Sequence, residues 1–318
     1  MRLFWIWDYL ARVRQAKTCA ECGNFDCWSN CCWRCPAIFV SHKSISRSGS
    51  EINEDYAFSC DQFIFVVDGA SALSKHRYTD CPSDARWFAQ RLGALLQVRL
   101  RDVSLDIAEV LHQVTAELSA EYTRYLSNAK PDPLAAPSAS LSIFRLRGEV
   151  IELFQLGDCL SIVTEINGRI ETFLDDAVSK LDNAVIQHVL DVSRRKNISF
   201  SEALVYGQDM LIQNRNKRNT PDGYWVLDLS GVGIQHAVTR RFPTDEIHSL
   251  AVMSDGFAEI VSLYKLYDHQ SLMKRMEECS LESLCDELFK VQAQDLTMEK
   301  YPRLKFRDDA SAAWCRVM

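Results

Sequence analysis

At 318 residues, with 47% hydrophobic and 25% charged residues, the chain is long enough for one large domain or two ordinary ones, and its composition excludes wholesale disorder. The formal net charge of −7 argues against nucleic acid as the main partner, because phosphate backbones are held by clustered cations. No apolar run is long enough to span a bilayer, so no transmembrane segment is expected.

Residues 1–40 differ in composition from the rest and are expected to form a cysteine-rich extension ahead of a domain over 41–318. Leu3, Trp7 and Leu10 fall at helical spacing with Arg2, Arg12, Arg14 and Lys17 nearby. That pattern suits a short amphipathic helix, docked on its own domain or lying on a membrane surface. Asp8 interrupts the apolar start and no small-residue cleavage site follows, so a secretory signal is not expected. Cys19-x-x-Cys22 and Cys32-x-x-Cys35 form two knuckles able to hold a tetrahedral Zn²⁺. The gap between them, Gly23 to Cys31, is short for a zinc ribbon, and Cys27 and Cys31 compete as ligands. A zinc site and an unstructured leader therefore stand as alternatives. The other cysteines (Cys60, Cys81, Cys159, Cys279, Cys285, Cys315) are scattered through apparent core elements. Such scatter suits reduced thiols in the cytoplasm better than a disulfide framework.

From Ile45 the pattern becomes domain-like. Tyr56 to Ser59 and Phe63 to Val67 read as strands, the second ending in Asp68-Gly69. A helix begins near Ser83, an N-cap residue type, with Phe88, Leu92, Leu95, Leu96 and Leu100 on one face. A second helix fits Asp106 to Leu126, and the proline-rich stretch from Ser127 to Ser138 reads as a loop. Strands follow from Ala139 to Leu146, Glu149 to Leu156, Leu160 to Ile166 and Arg169 to Phe173, the last two joined by the hairpin signal Asn167-Gly168. Helices are expected from Asp182 to Arg194 and Ser201 to Gln213, and strands from Tyr224 to Leu229 and Ser249 to Met253. Two more helices, Gln270 to Glu278 and Leu281 to Asp295, precede a final strand, Ala310 to Val317. Hairpin-joined strands with helices inserted in pairs give an α+β layered sandwich rather than a doubly wound parallel sheet.

The chemistry lies in acids at strand ends. Asp55, Asp68, Asp158, Asp255 and Asp308 each stand where an apolar strand meets a loop, and three have a glycine neighbour: Asp68-Gly69, Gly157-Asp158 and Asp255-Gly256. Singly each is a turn residue; together they suit a hard cation, because carboxylates without flanking His or Cys select Mg²⁺ or Mn²⁺. A pair of such ions lowers the pKa of a shared water and clamps a phosphoryl group.

Asn53-Glu54-Asp55, Val66-Val67-Asp68-Gly69, Leu156-Gly157-Asp158, Met253-Ser254-Asp255-Gly256 and Asp308-Asp309-Ala310-Ser311 occur in the order of the metal-dependent protein phosphatases of type 2C, which the chain resembles from about Ile45 to its C-terminus. The resemblance implies a four-layer α-β-β-α sandwich of two antiparallel sheets flanked by helix pairs. It implies that Asp68 bridges two Mn²⁺ or Mg²⁺ ions, that the Gly69 carbonyl, Asp255 and Asp308 complete the first site, and that Glu54 and Asp55 hold waters around the second. Asp158 with Asp255 corresponds to a third, weaker site. It also implies hydrolysis of phosphoserine or phosphothreonine in proteins by a metal-bound hydroxide.

Two departures stand out. The family commonly has a phosphate-binding arginine five residues before the first metal aspartate, and here that position is Ser50. Arg47, or Arg215 and Arg218 in the basic run from Asn214 to Asn219, are candidates to replace it. Many members place a histidine directly after the Asp-Gly, where this chain has Ala70, with His76 in the following loop. The difference suggests a divergent, bacterial-type member. A phosphatase-like regulatory module with weak or lost catalysis, and a phosphatase for a small metabolite, remain open as alternatives.

Overall fold

The computed structural model describes residues 38–127 and 130–318. Cys19, Cys22, Cys32 and Cys35, and the amphipathic helix expected around Trp7, lie outside the described residues.

One sheet joins β1 (Phe39–Arg47), β6 (Leu160–Glu165), β7 (Ile170–Phe173), β10 (Ile247–Met253) and β11 (Ala310–Val317) in the order β1-β11-β10-β6-β7. The other joins β2 (Tyr56–Ser59), β3 (Phe63–Gly69), β4 (Ser138–Arg147), β5 (Val150–Leu156) and β9 (Val238–Pro243) in that order, with the short β8 (Leu227–Asp228) beside the start of β4. All pairings are antiparallel. Alternation along the strands decides what each face meets. In β3, Phe63, Phe65 and Val67 pack on α1 (Asp84–Arg99) and α2 (Ile107–Leu126), while Ile64 and Val66 face the opposite sheet. In β10, Leu250 and Val252 face inward between the sheets, while Ala251 and Met253 meet α6 (Asp255–Ser262), α7 (His269–Glu278) and α8 (Leu281–Ala293). The result is helices, sheet, sheet, helices, the α+β sandwich expected from the sequence.

A smaller apolar cluster lies under α3 (Ala177–Lys196), α4 (Phe200–Ala203) and α5 (Gln208–Arg215), with Val185, Val189 and Phe200 at its centre. Here the sequence expectation of one helix from Ser201 to Gln213 is corrected: a 3₁₀ turn, Leu204–Gly207, separates α4 from α5 where Gly207 packs against Val185. The expected strand from Tyr224 to Leu229 shrinks to Leu227–Asp228. Upstream of it, Asn219 Oδ1 accepts the Val226 amide at 2.9 Å and Trp225 stacks on His236, so those residues belong to the loop. Three elements had no sequence counterpart. Apart from the buried Phe39, β1 and β9 are half-buried or exposed and carry little apolar alternation, while α6 starts at the Asp255-Gly256 pair that reads as a turn. Among the described residues, no helix is long and apolar enough to cross a membrane, and all six cysteines are free.

Candidate metal centre

The strand alternation that builds the core also aims the acids. Asp68 shares the parity of Ile64 and Val66, so it faces the space between the sheets just where β3 ends. Across that space β10 ends just before the buried Ser254, and Asp255 opens α6, its backbone N–H donating to Asp68 Oδ2 at 3.3 Å. A helix N-terminus is a favourable place for negative charge. Asp308 and Asp309 come immediately before β11, and Gly157-Asp158 immediately after β5. Sheet geometry therefore gathers acids from four strand ends at one end of the interior.

The Asn53-Glu54-Asp55 turn is tied to them by polar contacts. Asp309 accepts the Gly49 and Glu54 amides at 2.8 and 2.7 Å, drawing the 48–54 loop over the strand ends. Asn53 Oδ1 accepts the Asp55 amide at 2.9 Å, and Arg86 donates to the Asn53 carbonyl at 2.6 Å. The Glu54 carboxylate is fixed by the Ser71 hydroxyl and by Ser83 Oγ at 2.5 Å. Ser83 Oγ also accepts the Arg86 amide at 3.0 Å, so the N-cap of α1 orients Glu54 as well. Gly69 stands so close to this turn that a Cβ there would lie 2.3 Å from the Glu54 carbonyl oxygen. Gly157 is required twice over: its φ is +86°, and a Cβ would lie 2.2 Å from Ser140 Oγ. That hydroxyl in turn donates to Asp158 Oδ1 at 2.5 Å.

Crowding shows in the proton affinities. Burial, then Asp255 and Asp55, raise Asp68 well above the usual carboxylate range. Burial, then Asp309 and Asp308, do the same to Asp55. Asp255 is open to solvent by area yet stands within the ring of acids, and loss of bulk water followed by Asp308 and Asp158 pushes it up to about 7. One turn further along α6, Glu259 is pushed up to about 8 by burial, then by Asp255 and Asp308. Asp182 on α3, raised to about 6 by burial and next by Asp255, also feels Lys305, Arg215 and Asp308. Like charges held this close favour protonation or a bound cation.

The donor set fits a hard divalent cation. It is all oxygen, Asp55 Oδ2 is buried without a hydrogen-bond partner, and the Gly69 backbone borders the turn with no side chain in the way. As the side chains stand, no three His, Cys, Asp or Glu groups among the described residues enclose an ion by themselves. Asp308 Oδ1 accepts from Lys305 Nζ at 2.8 Å and from the Asp309 amide at 2.9 Å. A lysine supplies the positive charge there.

Of the residues singled out from sequence, Glu54, Asp55, Asp68, Gly69, Asp158, Asp255 and Asp308 come together at this end of the sandwich. The phosphate-contact candidates divide. Arg47 pairs with Asp286 and lies over Phe289, on the α8 side of the sheet. Arg218 donates to the Ala136 carbonyl and Ser138 Oγ at 2.9 and 3.0 Å, a brace for the start of β4. Arg215 donates Nη2 to the Ser71 carbonyl at 3.0 Å and keeps a buried Nη1 without a partner. His76 bonds Ser74 and Asp132, neither of them in the acid cluster. The sequence reading missed Lys305, Asp182, Asp309, Ser71, Ser83 and Glu259. Asp309 lay in plain view beside Asp308, but Asp182, inside an ordinary helix, carries no local signal.

A family model described as Protein phosphatase 2C matches residues 46–290, a span that takes in Glu54, Asp55, Asp68, Asp158 and Asp255 and ends before Asp308. Among solved structures, PppA from Pseudomonas aeruginosa, described as a key regulatory component of T6SS, is 14% identical with a TM-score of 0.51, covering 89% of this chain and 100% of that one. Stp1, a serine/threonine phosphatase from Staphylococcus aureus, is 13% identical with a TM-score of 0.46, covering 86% and 94%. The catalytic domain of the serine/threonine protein phosphatase PstP, in complex with two manganese ions, is 12% identical with a TM-score of 0.48, covering 89% and 99%. Identities this low speak to the fold alone. A search of curated proteins returned no match. The family match spans well over half of the chain and contains the clustered strand-end acids apart from Asp308 and Asp309, and the chain belongs to the protein phosphatase 2C family.

Proposed function

We propose that the chain is a phosphomonoester hydrolase dependent on Mn²⁺ or Mg²⁺, acting on phosphoserine or phosphothreonine in proteins. The observation that carries this reading is the concentration of strand-end acids around Asp68, with a buried Asp55 oxygen left unpaired and, among the described residues, only Lys305 ion-paired within the cluster. An acid cluster so poorly compensated by its own chain is a site for external cations. Asp68, Asp255, Asp308 and the Gly69 carbonyl would hold one ion, Asp68 with Glu54 and Asp55 the second, and Asp158 with Asp255 a weaker third. Such ions activate water at neutral pH and clamp phosphoryl oxygens. The chain's own contribution is alignment. β3 and β10 hold Asp68 and Asp255 on opposite walls, Ser71 and Ser83 orient Glu54, and Asp309 fixes the loop that closes the cluster. The free thiols suit a reducing compartment, in line with a cytoplasmic place of action.

Ser50, exposed and uncharged on the 48–54 loop, favours a second reading, a phosphate-sensing module with little turnover. A phosphopeptide assay with the full chain, with and without Mn²⁺, decides. Mn²⁺-dependent release of phosphate that is lost in Asp68→Asn supports the hydrolase. Mn²⁺ binding by calorimetry without turnover supports the module, and turnover that survives Asp68→Asn and Asp255→Asn removes the metal-centre reading altogether.

A further inference from the structure

A phosphate monoester is a dianion, and a cleft ringed by carboxylates repels it unless positive groups face it beyond those that compensate the acids. The basic residues near the cleft are mostly committed. Arg86 holds the Asn53 carbonyl, Arg218 holds Ala136 and Ser138, and Arg47 is turned to Asp286. Arg303 is buried against Asp295, and Arg307 donates to Gln292 and to the Phe289 carbonyl.

Two side chains differ. Lys305 is half-exposed, with 49% of its side chain open, and its ammonium pairs with Asp308 Oδ1 at 2.8 Å. That oxygen belongs to an acid a metal ion would take, so metal loading frees the ammonium while the backbone keeps it at the cleft. Arg215 stands beside the Glu54 end of the cluster. Its Nη2 reaches the carbonyl of Ser71, whose hydroxyl bonds Glu54, and its Nη1 is buried with no partner among the described residues. Lys305 thus borders the Asp308 edge and Arg215 the Glu54 edge. Asp182 on α3 feels the charge of both cations and of Asp255 and Asp308.

We propose that Lys305 binds the phosphoryl oxygens of the substrate, with Arg215 as a second, fixed positive charge, and that Lys305 alternates between Asp308 in the metal-free cleft and phosphate in the loaded one. This rests on the reading of the cleft as a metal-dependent phosphomonoesterase. The lysine acts as a mobile point charge able to leave one anion for another. Arg215, pinned at one nitrogen and with its other buried, acts as a fixed positive charge beside the site.

The test uses inorganic phosphate as the probe, so that binding is read apart from turnover. Calorimetry first measures Mn²⁺ binding to the full chain, as wild type, Lys305→Met, Lys305→Arg and Arg215→Gln, and then phosphate binding to each loaded protein. The expected result for Lys305→Met is phosphate affinity weakened about tenfold or more, the scale of a lost charge-assisted contact. Mn²⁺ affinity of that variant is expected to equal or exceed wild type, since Asp308 loses a competing cation. Lys305→Arg restores phosphate affinity to within about threefold of wild type, because a cation is kept. Arg215→Gln weakens phosphate while leaving the Mn²⁺ affinity in place. Phosphate affinity unchanged in Lys305→Met, or weakened equally in Lys305→Arg, overturns the proposal while the metal-centre reading stands. A wild-type chain that fails to bind Mn²⁺ overturns both. Thermal melts of the variants confirm that the half-exposed position tolerates the changes.

Discussion

β3 and β4 carry acidic sites at both ends of their ladder, and the two are built in opposite ways. At one end, opposite Phe63, the buried Arg145 donates to Glu152 Oε2 at 2.7 and 3.1 Å, and Arg147 and Arg241 reach Glu152 Oε1. Arg145 spends its remaining donors on the Leu105 and Asp102 carbonyls. Every charge there is met by the chain itself. At the other end, where Asp68 lies opposite Ser140, a crowd of carboxylates has Lys305 as its ion-pair partner and leaves Asp55 Oδ2 unpaired. Burying charge is costly in both places. The first site is closed and serves folding, whereas the second is left undercompensated, as the proposed binding of outside cations requires.

The sharpest way to break that contrast is to neutralise an acid at the open end. Asp68→Asn is expected to reduce Mn²⁺-dependent hydrolysis by about 10³-fold, the upper scale for losing one preorganised electrostatic group. The same change should raise the melting temperature of the metal-free protein, because it removes a carboxylate already held well above its usual range. A metal-free melting temperature that falls would show that Asp68 is compensated after all.

At the closed end the sign reverses. Glu152→Ala leaves the fully buried Arg145 without its carboxylate, and removing one partner of a buried pair costs about 3–5 kcal/mol. Denaturant melts measure the loss, and Mn²⁺ affinity should stay at the wild-type value. A variant as stable as wild type would mean that the Arg145–Glu152 pair gives no net stabilisation.

The sequence made the open end legible and hid the closed one, for a physical reason. Asp-Gly at the end of an apolar run breaks the pattern of its own neighbourhood, so Asp68 and Asp255 announce themselves locally. Arg145 and Glu152 sit inside strands, where an alternating polar residue looks like a solvent-facing one, and only the pairing of β4 with β5 brings them together. The same limit hid Asp182 and Lys305, whose role depends on how α3 and the 305 loop approach the strand ends. The layered fold was readable from hairpin signals and helix faces. The edge strands β1 and β9 were not, because their sparse apolar residues carry little periodicity.

Acidity offers a milder probe. In the metal-free protein Glu259 is pushed up to about 8, Asp255 to about 7 and Asp182 to about 6, from ordinary carboxylate values near 4. A raised carboxyl contributes stability that is fully present below its unfolded value and is lost as pH rises through its folded value. The metal-free melting temperature should therefore rise between pH 8 and pH 6, by roughly 2–4 °C once solvent screening is allowed for. The upward shift produced by Mn²⁺ should shrink over the same interval, because protons compete for the same oxygens. Differential scanning fluorimetry across that range, with chelator or Mn²⁺, checks both. A metal-free curve that is flat or falls toward pH 6 would contradict the crowding.

The smallest effect belongs to a residue that sequence reasoning favoured. Arg47 is near Asn53-Glu54-Asp55 in sequence, yet its guanidinium pairs with Asp286 where the two side chains are 41% and 68% exposed, and it lies 4.7 Å from the centre of the Phe289 ring. An exposed pair of this kind contributes about 0–1 kcal/mol, and the ring contact adds about as much. Arg47→Ala should therefore leave the Mn²⁺ affinity and the phosphate affinity of the loaded protein within about twofold of wild type and lower stability by about 1 kcal/mol. The comparison with Lys305→Met is the informative one. Both remove a single positive charge near the proposed metal ligands in sequence, but Lys305 is paired with an acid of the cluster and Arg47 is turned away from it. If Arg47→Ala weakened phosphate binding as much as Lys305→Met, net charge rather than position would govern the cleft, and the division between committed and available cations would fail.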